Sequence, residues 1–179
     1  MRKTVLTFIF FLVVGPTLAQ GVTPKQGGWE VNFGVVSLWT KSGRPLGEYR
    51  AYVGYSPIFT QQIGMIVTTT PIYPEWSGYG VDTRSIGIFY RYSLPLKRTI
   101  FSPFVALDAN LVVTDRHKEY RDLNSEVAAE VGLRILPWDL GEGSIGFAVA
   151  PRWQRMYLDG PGSFGTVGIS VRFVFISVD

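Results

Sequence analysis

The chain has no cysteine among its 179 residues, so it has neither a disulfide framework nor a cysteine for lipid anchoring. It has one histidine, His117, which leaves base-assisted chemistry a single candidate of that type. Beyond residue 19 no run is long and apolar enough to span a bilayer as a helix, so a membrane protein with this sequence can only be a barrel. Lysine is scarce there too: Lys25, Lys41, Lys97 and Lys118 fall in the expected lead, turns and loops.

The first residues read as a secretory signal peptide. Arg2 and Lys3 precede the apolar run Val5 to Val14, and Thr17-Leu18-Ala19 supplies a small-residue cleavage site. The expected organisation is a signal peptide over 1–19, a short polar periplasmic lead over 20–28 ending at Gly27-Gly28, and one barrel over 29–179. Cleavage takes two of the 17 basic residues and none of the 14 acidic ones, so +3 falls to +1. That excludes the clustered excess charge of a nucleic-acid footprint. No second domain and no linker is visible.

What the chain has is alternation. Eight stretches place apolar residues on one parity and polar or small ones on the other, the period of a strand with two unlike faces. Trp29/Val31/Phe33/Val35/Trp39 stand against Glu30/Asn32/Gly34, and Val167/Ile169/Val171/Phe173/Phe175 against Thr166/Gly168/Ser170/Arg172. Similar sets begin near Glu48, Gln62, Ser85, Phe101, Glu126 and Ile145. An even number of such strands suits an all-β, eight-stranded, antiparallel up-and-down transmembrane barrel of the Gram-negative outer membrane. Its short periplasmic turns are expected at Thr60-Gln61, 96–99 and 139–142, and its outer loops at 40–46, 74–83, 115–123 and 158–162.

The rival is a soluble barrel with its apolar face inside. Composition of the polar face decides against it. The strand charges are Arg50, Arg91, Arg134, Arg152 and Arg172 with Glu30, Glu48, Asp108, Glu126 and Glu130, whereas water-facing strands use lysine freely. Arginine balanced by carboxylates suits a confined, neutral lumen, because its planar fork satisfies two acceptors and stays ionised. Seven glycines share that face, where an eight-stranded barrel has little room: Gly34, Gly54, Gly64, Gly87, Gly132, Gly146 and Gly168.

Aromatics fall near both strand ends. Trp29, Phe59, Tyr92, Phe101, Trp138, Phe173 and Phe175 mark a lower girdle. Trp39, Tyr49, Tyr73, Trp76, Trp153, Tyr157 and Phe164 mark an upper one. Ser125 to Ile135 competes as a helix, with Glu126, Glu130 and Arg134 at four-residue spacing. The uniformly apolar odd positions and mid-segment Gly132 favour a strand.

On these residues the chain resembles small eight-stranded outer-membrane barrels over its whole mature length. Thr166-x-Gly168-x-x-Val171-x-Phe173 is similar to the closing-strand signal of such proteins, which implies delivery by the barrel-assembly machinery; Ile176 to Asp179 follow in place of a terminal aromatic. The layout from Ser102-Pro103-Phe104 to Phe175 resembles, in shape, the lipid A deacylase (acyloxyacyl hydrolase-like) barrels. That family carries a histidine and a serine on its penultimate strand after an arginine-aromatic pair. Here Arg152-Trp153 is followed by Gln154, Arg155, Met156 and Tyr157, so the resemblance implies no catalytic residue.

The loop Asp115 to Asp122 holds His117, with Ser125 nearby and Asp115 placed to orient the ring, but spacing alone does not specify a triad. Nor do Asp115, His117 and Glu119 make a preorganised metal site, and no cofactor is expected. Arg116, His117, Lys118 and Arg121 are candidate ligand-binding residues facing lipopolysaccharide phosphates, with Asp115, Glu119 and Asp122 meeting the same lipid through divalent cations. A solvated loop is the plain alternative. The expected protein is a monomer in contact with outer-membrane lipids and lipopolysaccharide, structural or interacting in role and without a nucleic-acid partner. A lipid A-modifying acyl hydrolase and a narrow pore are the alternatives.

Overall fold

The computed structural model describes residues 26–39, 45–58, 60–72, 81–94, 101–114, 124–140, 143–158 and 162–177. They form eight strands: β1 Gln26–Trp39, β2 Pro45–Ile58, β3 Gln61–Ile72, β4 Val81–Ser93, β5 Phe101–Thr114, β6 Asn124–Asp139, β7 Gly143–Leu158 and β8 Gly162–Ser177. Each pairs antiparallel with its sequence neighbours, and β8 returns to β1, so the sheet closes and has no free edge. The segment 125–135 is strand, its Ser125–Glu130 run paired residue by residue with Tyr157–Arg152 of β7.

Several boundaries differ from the sequence expectation. β1 begins at Gln26, paired with Ile58, so Gln26 to Gly28 belong to the barrel and not to a lead. Pro45, Leu46 and Val81 to Thr83, expected in outer loops, are strand residues, as are Gln61 and Asp139, expected in turns. In each case backbone pairing continues past the end of the side-chain alternation. Residues 1–19, Phe59, Tyr73, Trp76 and the four lysines after residue 19 lie outside the described residues.

Two register shifts interrupt the ladders, between Tyr55 and Ile58 on β2 and between Ile135 and Trp138 on β6. Each contains a proline, Pro57 or Pro137, which has no N–H to give to a ladder. Both lie near the turn end, where β1 starts and β8 finishes.

Parity sorts the side chains. Most outward residues are apolar and bare: Phe33 is 59%, Ile88 61% and Val131 65% exposed. At the turn end Trp138, Phe147 and Phe173 pack edge to face, and Trp29 leans on Tyr55. Trp39, Tyr49, Trp153 and Tyr157 are exposed toward the loop end.

Inward residues fill the lumen. Phe104, Ala106, Ala148, Ala150, Val174 and Ile176, with Leu136 against them, form an apolar cluster toward the turn end. Val36 and Leu38 form another toward the loop end. Midway, Tyr52, Ile66 and Phe89 pack together, the two rings edge to face at 5.3 Å. Phe89 reaches the wall because Gly54 and Gly64 are register partners, and a Cβ on either would stand 2.7 Å from its ring. An interior this narrow is filled by side chains.

Candidate functional site

The buried charged residues, among those described, are five arginines and five carboxylates: Arg50, Arg91, Arg134, Arg152, Arg172, Glu30, Glu48, Asp108, Glu126 and Glu130. All sit at inward parity on β1, β2, β4, β5, β6, β7 and β8. They form two groups.

The first is built on Glu30 of β1. Its Oε1 is in close contact with Arg91 Nη1 of β4, and its Oε2 accepts from Arg134 Nη1 of β6 at 2.7 Å. Asn32 Nδ2 donates to Oε1 at 2.7 Å. Arg91 Nη1 also reaches Gln62 Oε1 at 2.9 Å, and its guanidinium lies 5.5 Å from the Phe89 ring and 5.1 Å from that of Phe104.

The second joins three arginines to four carboxylates. Arg50 contacts Glu48 through Nε, Asp108 Oδ2 at 2.9 Å and Glu126 Oε1 at 3.1 Å. Arg152 meets Asp108 Oδ2 at 2.6 Å, Glu130 Oε1 at 2.9 Å and Glu126 Oε1 at 3.2 Å. Arg172 Nη2 lies 2.7 Å from Glu130 Oε2, and its guanidinium stands 4.8 Å from the Tyr52 ring and 5.3 Å from Phe104. Gln154 ties the group together, accepting from Arg50 and Arg152 and donating to Glu48.

Phe104 therefore lies under an arginine of each group. Two positive charges beside one negative, and three beside four, sum to zero over the lumen. Sharing one carboxylate between two guanidiniums also explains why arginine is used: its planar fork has five donors to distribute. Burying such charges is costly in itself, and it is offset only while each keeps its partners. The arrangement joins strands that are not sheet neighbours, such as β1 to β4 and β2 to β5. It offers no grouping of His, Cys, Asp and Glu able to hold a metal among the described residues.

The aromatic partners of the arginines, Tyr52, Phe89 and Phe104, are members of this network that sequence reading did not single out. Their signal was inward parity in an otherwise polar row. Of the expected ligand-binding residues, Arg116, His117, Lys118 and Arg121 lie outside the described residues, as do Asp115, Glu119 and Asp122. Ser125 is exposed at the start of β6. Along β7, Arg152, Gln154 and Met156 face the lumen while Trp153, Arg155 and Tyr157 face out.

Neither family models nor curated protein sequences give a match to the chain. Solved structures do. Neisserial surface protein A superposes with a TM-score of 0.60 at 10% identity, covering 88% of this chain and 100% of that one. The outer membrane enzyme PagL gives 0.52 at 15% identity, over 81% and 97%. The N-terminal β-barrel domain of Pseudomonas aeruginosa OprF gives 0.51 at 12% identity, over 85% and 99%. At these identities the likeness is one of architecture, and the closed antiparallel sheet described above is the eight-stranded fold of small outer-membrane barrels.

Proposed function

We propose that the chain spans the bacterial outer membrane as a single-copy barrel with a sealed lumen, and that its role is structural or one of surface interaction. The observation that carries this is the interior, where ten charges neutralise one another between apolar clusters. An outward face as bare and apolar as that of Phe33, Ile88 and Val131 supports a lipid environment, since soluble monomers rarely present such continuous apolar surface. Membrane entry through the barrel-assembly machinery, using β8, and surface contact with lipopolysaccharide through the loop containing Arg116, Lys118 and Arg121 belong to the same reading.

Reconstitution into a planar bilayer tests it. The inserted, unmutated protein is expected to pass negligible ion current. Steady single-channel currents whose size changes with Glu130→Ala would replace this reading with that of a narrow pore.

The second reading is the lipid A-modifying hydrolase that the sequence resemblance raised, and an outer membrane enzyme, PagL, shares the fold. A fold does not by itself confer a reaction. Mass spectrometry of lipid A from cells with the unmutated protein or His117→Ala decides it: deacylation lost with the histidine would establish the enzyme.

A further inference from the structure

Among residues with described side chains, two charged ones stand on the apolar outward face, Arg84 on β4 and Arg155 on β7. Each is the fourth residue from the loop end of its strand. Among the described side chains, none at an outward position of the turn end is charged, and Trp29, Phe101, Trp138, Phe173 and Phe175 stand there. A lipid-facing arginine is costly at the bilayer midplane and nearly free of cost at the interface, so this one-sided placement marks a headgroup level.

Arg155 is held in place. Its Nη2 donates to Ser163 Oγ at 2.9 Å, and its guanidinium lies 5.5 Å from the Tyr157 ring. Tyr157 is flanked in register by Ser125 of β6 and Ser163 of β8, a row of three hydroxyls next to the guanidinium. Arg155 itself is flanked by Val127 and Gly165. At Gly165 a Cβ would meet only Gln154 O, at 3.8 Å, so the surface beside the guanidinium is open. The next outward row toward the midplane is Ala129, Trp153 and Val167. Hydroxyls, then a cation, then an apolar shelf is the order of groups that an anionic amphiphile would meet.

We propose that Arg155, Tyr157, Ser163 and Ser125 bind the phosphate headgroup of an anionic membrane lipid, with an acyl chain lying along Ala129, Trp153 and Val167. The fork of arginine donates to two phosphate oxygens, and the hydroxyls donate to the others. Ser163 and the Tyr157 ring hold the guanidinium in position before the lipid arrives, which lowers the ordering cost of binding. This rests on the membrane-spanning reading.

The test uses the full barrel in phosphatidylcholine vesicles doped with phosphatidic acid or with diacylglycerol of the same chains, and counts lipid retained on the barrel by native mass spectrometry after detergent release. Phosphatidic acid is expected to be retained and diacylglycerol not. Arg155→Gln should lower retention about tenfold and Ser163→Ala by less, with Arg155→Lys between them. Gly165→Val, which fills the open surface and leaves every charge in place, should lower it as well. Displacement by inorganic phosphate as effectively as by phosphatidic acid would mean an ion site and not a lipid site. Equal retention by unmutated protein, Arg155→Gln and Gly165→Val, or equal retention of diacylglycerol, would overturn the proposal. Insertion is read separately from the gel-mobility shift between boiled and unboiled samples. A barrel that inserts without retaining phosphatidic acid sinks this site alone, and one that never inserts sinks the membrane reading.

Discussion

Arg172 on β8 and Glu130 on β6 form an ion pair of 2.7 Å that passes behind the intervening strand β7. The same carboxylate also meets Arg152 of β7, so one side chain ties three successive strands from within the lumen. Sheet hydrogen bonds hold neighbours; Glu130 adds a link between strands that share none.

Replacing Glu130 with alanine leaves two buried guanidiniums short of a partner, and the loss should be about 3–5 kcal/mol. Glu75→Ala, in the expected outer loop, should cost less than about 0.5 kcal/mol. Urea titrations of both variants in vesicles, followed by tryptophan fluorescence, compare them. Matching midpoints would contradict a stabilising interior network.

The outward face supplies a second expectation. Leu107 projects from the middle of β5 and is 39% exposed. Leu107→Arg should reduce stability in lipid by ~2–4 kcal/mol, whereas arginine at Gly47, close to the loop end of β2, should cost about 0–1. The folded fraction is read from the gel shift on boiling. Equal folding of the two variants would mean that water, not lipid, covers this face.

Packing against the wall gives a third. A Cβ at Gly132 would stand 2.5 Å from Ala150 Cβ and 2.7 Å from Phe104 Cζ, whereas at Gly47 it would meet nothing within 4 Å. Gly132→Ala should therefore destabilise by ~1–3 kcal/mol through overpacking, and Gly47→Ala should stay within about 0.5. Phe104 is the ring beneath Arg91 and Arg172, so the loss should be accompanied by weakened coupling between those arginines and their carboxylates. Thermal unfolding of the two alanine variants checks the order.

Strand number, closure and inward or outward parity were legible in the sequence because a strand's side-chain period is two and each strand has one apolar face. Partner choice was not. Glu130 and Arg134 share a strand and a parity, and as a helix they would have been neighbours one turn apart. In the barrel they part company, Glu130 to Arg152 and Arg172, Arg134 to Glu30. That separation follows from strand tilt and register, which a single sequence does not state. Phe89 and Phe104 were passed over because they interrupt the polar row, although that interruption is what seats the arginines. Arg155 was passed over for the opposite reason, as a charge on the apolar parity.

Register is what the last prediction measures. Glu30 and Arg134 are 104 residues apart, on β1 and β6, and meet only if the closed sheet has the pairing described. Glu30→Gln removes the carboxylate from both Arg91 and Arg134 and should cost about 3–5 kcal/mol. Arg134→Gln alone leaves Glu30 its contact with Arg91 and should cost less. The double variant removes one charge of each sign, so its loss should fall short of the summed single losses by a coupling of ~0.5–3 kcal/mol. Strict additivity, in variants that still insert and close, would mean that the two side chains never meet and that the strands are paired in another register.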